Sequence, residues 1–376
     1  LEEIMRASAG IALCVLPAVL QSQPVTRIPL KPANATLAAE FVGITSIREV
    51  ADGRVIVTDG RDQQLYVADF KANNASLLGR KGKGPGEWLN IGLVQALSGD
   101  SSIIGDFGNL RWMLLDGAKI VGTVPSDHPA VRASSAFVID IDRLGHILAT
   151  RNPPARAGTT VFTRADSNAL VFIDRNSGRV DTIASLRVRP HRREVQMDSA
   201  GRVRSTMPFS TEPNAQAELA KLFNDGWLAV VRLEPLRVDW RSPAGQWTLG
   251  KPFPLRPAPV DARERKAIEA RRAEARADAK KYGLPEPAAV AYPTTLPVMA
   301  NAASPRATTE GRLLLRRSSS ASNPAIRYLV INRQGNIDGE ITLAANEDII
   351  GFGLRSIYIA FKDDDDIQRL RRHPWP

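Results

Sequence analysis

DGRVIVTDGRDQQLYVADFKANNASLLGRKGKGPGEWLN, Asp52 to Asn90, sets two apolar runs between turn residues and then ends in a basic, glycine-rich segment. Short runs rich in Val, Ile, Leu and Tyr, bounded by Gly, Asp and Asn, read as strands joined by tight turns. The segment from Gly79 to Asn90 has the composition of a phosphate-cradling loop, and its spacing tests that reading. A Walker loop needs two glycines five apart, then Lys, then a hydroxyl residue. Gly79 and Gly84 have the separation, but Pro85 and Gly86 follow them. The dinucleotide fingerprint fails as well, because Glu87 stands where the third glycine belongs. The remaining reading is a crossover between repeated units.

The rest of the chain repeats the strand-turn-strand grammar. One pattern, a turn followed by an apolar run, appears as DGRVIVTD at Asp52, GDSSIIGDF at Gly99 and LGHILATR at Leu144. It returns as DGWLAVVR at Asp225, EGRLLLRR at Glu310 and LRSIYIAF at Leu354. A second follows at a distance: LYVAD at Leu65, WMLLD at Trp112, LVFID at Leu170, LRVDW at Leu236, YLVIN at Tyr328 and IQRLR at Ile367. Six strand-rich units in series predict an all-β fold, a six-bladed β-propeller of four-stranded blades. A lone blade cannot bury both faces, so its neighbours must cover them. TRIPL at Thr26 has strand character without a unit of its own, and it is expected to close the ring beside Leu370.

Two units are stretched. The third carries RNPPARAGTTVFTRADSN between its strands, and a longer insertion separates the fourth from the fifth. Residues 260–283 of that insertion are rich in Ala, Arg, Glu and Lys, with Asp261 placed to cap a helix and Gly283 to end it. The apolar face is too thin for a core helix. A surface helix between blades four and five is expected, held by proline-rich arms. Ile268, Ala275, Ala279 and Tyr282 form its expected contact side, with Arg271, Arg276 and Lys280 in water.

Within Asp52 to Asn90 the strand pair and the GRKGKGPGEWLN crossover resemble an NHL repeat, with Trp88 where that family usually has Phe. Later units keep the rhythm and lose the glycine crossover. The whole chain resembles exported six-bladed propeller proteins of bacteria, most of which have no assigned activity. The resemblance implies the fold and leaves the activity open.

Composition narrows the setting. The chain has 376 residues, a formal charge of +10 and one cysteine, Cys14. No intramolecular disulfide can form. Arg6, the apolar run from Ala9 to Leu20 and the polar residues up to Pro24 have the anatomy of a secretory signal peptide. The expected organisation is a signal peptide at 1–23 and one propeller domain at 24–376, exported and monomeric. The apolar run is too short to span a bilayer, and no other segment qualifies.

Signatures of catalysis are missing. There is no HExxH and no GxSxG elbow, and His128, His146, His191 and His373 lack metal-ligand spacing. Four consecutive Asp, Asp363 to Asp366, cannot converge on one ion because alternate side chains diverge, so they read as a solvated hairpin turn. The densest charge outside the helix is the connection containing Arg187, Arg189, His191, Arg192, Arg193, Arg202 and Arg204, a candidate anion-binding rim. The leading expectation is a non-enzymatic binding module for a protein, peptide or glycan, with no cofactor and an acidic partner favoured by the net charge. A first alternative is a calcium-dependent hydrolase or lactonase using separated residues such as Asp140, Asp142 and Asn301. A second is RNA binding through a basic face, which export argues against.

Overall fold

The computed structural model describes residues 25–126, 136–151, 161–163, 167–188, 192–197, 203–209, 216–283, 291–300 and 303–375, by backbone alone at 136, 161–163, 192–197 and 203–209. Six antiparallel four-stranded sheets follow one another along the chain. Blade 1 is built from Ile44–Glu49, Val55–Asp59, Gln64–Asp69 and Asn74–Leu77. The repeated DGRVIVTD-type runs are the second strands of blades 1 to 6, and the LYVAD-type runs are the third strands.

Alternation explains why the sheets form a ring. In Val55–Asp59, Val55 and Val57 face a cluster shared with blade 6, while Ile56 faces one shared with blade 2. In Leu313–Arg316, Leu313 and Leu315 face blade 4, and Leu314 faces blade 6. A strand's side chains point alternately to opposite faces, so each sheet supplies half of two interfaces. Six such clusters occur, one between each neighbouring pair of blades, including the pair formed by blades 6 and 1. The architecture is a closed six-bladed propeller.

The ring is closed by the N-terminal part of the chain, though not by the segment expected. Ala35–Thr36 is the outer strand of blade 6, paired with Arg372 and Arg371, and Leu37 N–H donates to Leu370 O at 2.9 Å. Leu37 and Phe41 are buried in the cluster between blades 6 and 1. TRIPL instead lies along the last strand of blade 5, where Ile28 N–H donates to Glu340 O at 2.8 Å. Its strand character was legible, but not which of two adjacent edges it would take.

GRKGKGPGEWLN is the crossover from blade 1 to blade 2, between Asn74–Leu77 and Ile91–Ala96. Trp88 is fully buried in the cluster between those blades. At Gly79 φ is +84°, and an added Cβ would lie 2.4 Å from the Gly86 carbonyl oxygen and 2.5 Å from the Trp88 ring. The four Asp form the turn of the last hairpin, where Asp363 accepts from the N–H of Asp365 and Ile367.

The propeller's two faces differ. Turns joining first to second and third to fourth strands open on one face, and none exceeds five residues. Turns joining second to third strands, and the crossovers between blades, open on the other. Both insertions rise there. A three-stranded sheet of Val161–Thr163, Arg192–Met197 and Val203–Phe209 joins the insertion of the third unit to the connection between blades 3 and 4. Helix α1, Ala262–Lys281, lies between blades 4 and 5. Its arms pair as Ala258–Pro259 with Thr295–Leu296, and Phe253 and Met299 on the arms are buried in the cluster between blades 4 and 5.

Asp261 caps α1 by accepting from Glu264 N–H at 2.8 Å. The contact side of the helix departs from expectation. Ile268 is half-buried and Ala279 buried, but Ala275 and Tyr282 are exposed. The helix is anchored by polar groups: the buried Glu264 carboxylate accepts from Ala321 N–H at 2.6 Å, and Asp261 accepts from the Ser322 hydroxyl. Both partners lie in the blade 5 turn between Leu313–Arg316 and Ile326–Ile331. Arg271, Arg276 and Lys280 are exposed as expected.

Candidate functional site

The arginine-rich connection yields little convergence among the described residues. Arg187 ends the outer strand of blade 3, and its guanidinium pairs with Glu234 at 2.7 Å, which raises its pKa. Arg192, Arg193 and Arg204 sit on the paired strands Arg192–Met197 and Val203–Phe209, a hairpin where sequence suggested a plain connection. Their side chains, with Arg189, His191 and Arg202, lie outside the described residues.

The central channel is better defined. The first strand of each blade lines it, as a cavity of about 650 Å³. That volume falls within the range of about 300–1,000 Å³ usual for small-molecule sites. One layer of the wall follows directly from the repeat. Four residues before the start of each second-strand pattern stand Arg48, Gln95, Asp140, Lys221, Arg306 and Ile350. The first five occupy the same register, opposite Ile56, Ile103, Leu148, Ala229 and Leu314 of their second strands. In blade 6 the register slips at Ile350, which lies in a bulge between Ile349 and Gly351. All six line the cavity.

This layer is linked from blade to blade. Arg48 donates to Gly99 O of blade 2 at 3.1 Å, and Gln95 Nε2 reaches Ile139 O of blade 3 at 3.5 Å. Lys221 Nζ of blade 4 pairs with Asp140 of blade 3 at 2.7 Å. Arg306 of blade 5 donates to Ile350 O of blade 6 at 2.7 Å. Arg333 of blade 5 pairs with Asp225 of blade 4, and Tyr358 of blade 6 donates to Glu49 of blade 1 at 2.6 Å. Burial pushes the Tyr358 hydroxyl well above its ordinary pKa, so it stays a donor.

The carboxylates named for calcium are engaged. Asp140 accepts from Lys221 and from Leu222 N–H at 3.1 Å. Asp142 accepts from the N–H of Leu144 and His146 and meets His146 Nδ1 at 2.8 Å, which ties down a blade 3 turn. Asn301 lies outside the described residues. Among the described residues no group of three or more His, Cys, Asp or Glu is placed to hold a metal.

The cations are less fully matched. Glu218 in the wall pairs with Arg232 at 2.7 Å, and Asp225 with Arg333. Among the described residues Arg48 and Arg306 have no carboxylate at ion-pair distance, and each donates to a backbone carbonyl. Burial lowers the Arg48 pKa, opposed at longer range by Asp100 and Glu49. Arg48 Nε, Gln95 Oε1 and Asn168 Oδ1 are buried without hydrogen-bond partners, and all three side chains line the cavity. The sequence reading missed Arg48, Lys221 and Arg306. The signal was there: each stands four residues before the acidic residue that opens its blade's second-strand pattern.

The chain matches no protein-family model, and no curated protein matches it in sequence. Its backbone is similar to several solved propellers. Virginiamycin B lyase from Staphylococcus aureus aligns at 11% identity with a TM-score of 0.41, covering 90% of this chain and 97% of that one. Regucalcin from Agrobacterium tumefaciens, a calcium-binding protein, gives 12%, 0.42, 93% and 97%. A gluconolactonase from Xanthomonas campestris gives 10%, 0.41, 94% and 99%. These likenesses are too distant to carry an activity across.

Proposed function

We propose that the protein is an exported, non-enzymatic binding module that seats its ligand in the central channel. The observation that carries this reading is the cavity of about 650 Å³ lined by the first strands of all six blades, with Asp140 held in an ion pair. A hydrolytic site needs a free carboxylate, a nucleophile with its base, or a metal to activate water. Asp140 and Asp142 already serve as acceptors for neighbouring groups. A calcium site there would have to share those carboxylates with Lys221, His146 and the backbone N–H groups they already accept from. Export rests on Arg6 and the apolar segment Ala9 to Leu20. The expected ligand is a glycan or peptide small enough to enter the channel, or the end of a larger one.

Native mass spectrometry of the full chain after incubation with cell-envelope extract tests this. A ligand of fixed mass, released on denaturation and lost in a Leu93→Trp variant that fills the channel and still melts cooperatively, is the expected result. Turnover of lactone or ester substrates, with or without added calcium, would refute it.

A further inference from the structure

Resting on the channel as the ligand seat, we propose that it is built for a small polyhydroxylated or amino-bearing organic anion, with the carboxylate or phosphate held between Arg48 and Arg306. The argument starts from the register-matched layer. It contains three cations, Arg48, Lys221 and Arg306, against one carboxylate, Asp140. Lys221 is taken by Asp140 at 2.7 Å. The two arginines left over belong to blades 1 and 5, so they flank blade 6 from either side. Arg306 reaches across to Ile350 O of that blade, whereas Arg48 leans to Gly99 O of blade 2 through one terminal nitrogen, so the anion would be met by Arg306 and by the unpartnered Arg48 Nε.

Guanidinium groups present paired N–H donors that match the two oxygens of a carboxylate or phosphate. Burying a cation without a charged partner is unfavourable, and an entering anion removes that penalty. Arg48 Nε is such a donor, buried and without a partner. Arg333 Nε in the wall is a second unpartnered donor, and two further orphans are acceptors. Asn168 is 5% exposed with Oδ1 unpartnered, and Gln95 Oε1 is likewise buried and unpartnered. An acceptor without a donor calls for a hydroxyl or an amine on the ligand. Ile350, Leu93 and Ile139 add apolar wall for a carbon skeleton.

Three probes of similar size separate the elements of this proposal: glucuronate, glucose 6-phosphate and uncharged methyl glucoside. Calorimetric titration of the full chain should show binding of at least one of the two anions, weakened by added salt, and none of methyl glucoside. Whichever anion binds more tightly distinguishes carboxylate from phosphate. The Arg48→Gln/Arg306→Gln double variant should lose at least ten-fold in affinity. Arg306→Lys, which keeps the charge and loses the fork, should fall between the wild type and Arg306→Gln. If the double variant melts early, Arg48→Lys and Arg306→Lys carry the test and should retain more anion affinity than the matching Gln variants. Equal binding of methyl glucoside overturns the proposal. So does full anion affinity in a folded double variant, equal loss in the Lys and Gln variants, or binding of neither anion. Capture of a neutral ligand from envelope extract would leave the binding module standing and remove the anion seat.

Discussion

The indole Nε1 of Trp88 donates to the backbone carbonyl of Gln63 at 2.9 Å, which fastens the crossover leaving blade 1 to a hairpin tip inside that blade. Gln63 also accepts from Ile91 N–H through its side chain at 2.7 Å, so one residue holds the crossover and the first strand of blade 2 together. Trp88→Ala should cost about 3–5 kcal/mol, the range for a large aromatic removed from a core. Trp88→Phe keeps the wedge and loses the hydrogen bond, at about 1 kcal/mol. Urea denaturation of the three proteins would measure both, and equal losses would refute the separate role of the indole N–H.

Gly79 and Gly53 share a φ of +84°, but only Gly79 has neighbours within 4 Å of an added Cβ. Gly53→Ala should therefore cost about 1 kcal/mol from backbone conformation alone. Gly79→Ala adds the clash with Gly86 and Trp88 and should cost at least about 2 kcal/mol more. Equal melting temperatures for the two variants would contradict this.

Asp106 is fully buried at the end of a blade 2 strand. Burial pulls its pKa up, but the N–H groups of Leu89 and Asn90 and the side chains of Asn109 and Arg111 outweigh that and hold it below the ordinary value. A carboxyl with a depressed folded pKa contributes its stability above the unfolded pKa of about 3.9 and loses it as pH falls through the lower folded value. Asp106→Asn should lower stability at pH 7 by about 2 kcal/mol and flatten the decline below about pH 4. Urea midpoints from pH 7 to pH 2.5 provide the comparison. An acid limb unchanged by the substitution would show that other carboxylates govern it.

Glu264 is the buried polar anchor of α1. Glu264→Ala should release the helix without weakening the ring, because the arms and not the helix supply Phe253 and Met299 to the core. Trypsin should then cut first within 262–281, while the thermal midpoint of the propeller stays within about 2 °C. Deleting 260–283 with a short Gly-Ser bridge should likewise leave a folded ring, and collapse of the whole domain would mark the helix as a core element.

Leu37 is fully buried beside the closing strand Ala35–Thr36. Leu37→Asp should unseat that strand and bare the edge of Gln368–Pro374, an invitation to edge-to-edge association. Size-exclusion chromatography should then show oligomers or aggregate. A monomer as stable as the parent chain would show that closure does not depend on this strand.

The blades were legible because their second and third strands carry continuous apolar runs, such as VIV at Val55 and LLL at Leu313, buried on both faces. The α1 cap was legible because an Asp three residues before Glu264 has a local meaning. The closing strand was not. Ala35–Thr36 spans two residues and carries no apolar pattern, and its place is fixed by Leu37 and Phe41 packing far away in sequence. The anchoring of α1 escaped for a related reason: a buried Glu looks solvated until the N–H of Ala321 is brought to it. Likewise the channel layer draws single residues from six separate units, and neighbours in the ring are not neighbours in the chain.

The pairing of Ala35–Thr36 with Arg372 and Arg371 has a consequence for biosynthesis. The strand that completes blade 6 is made long before its partner. Until then the early strand must wait unpaired, and a product ending before Gln368 has no seat to offer it. Closure thus tests whether all six blades have been made. An unfinished chain keeps one raw edge and one loose strand exposed, the features by which chaperones and proteases find unfolded material.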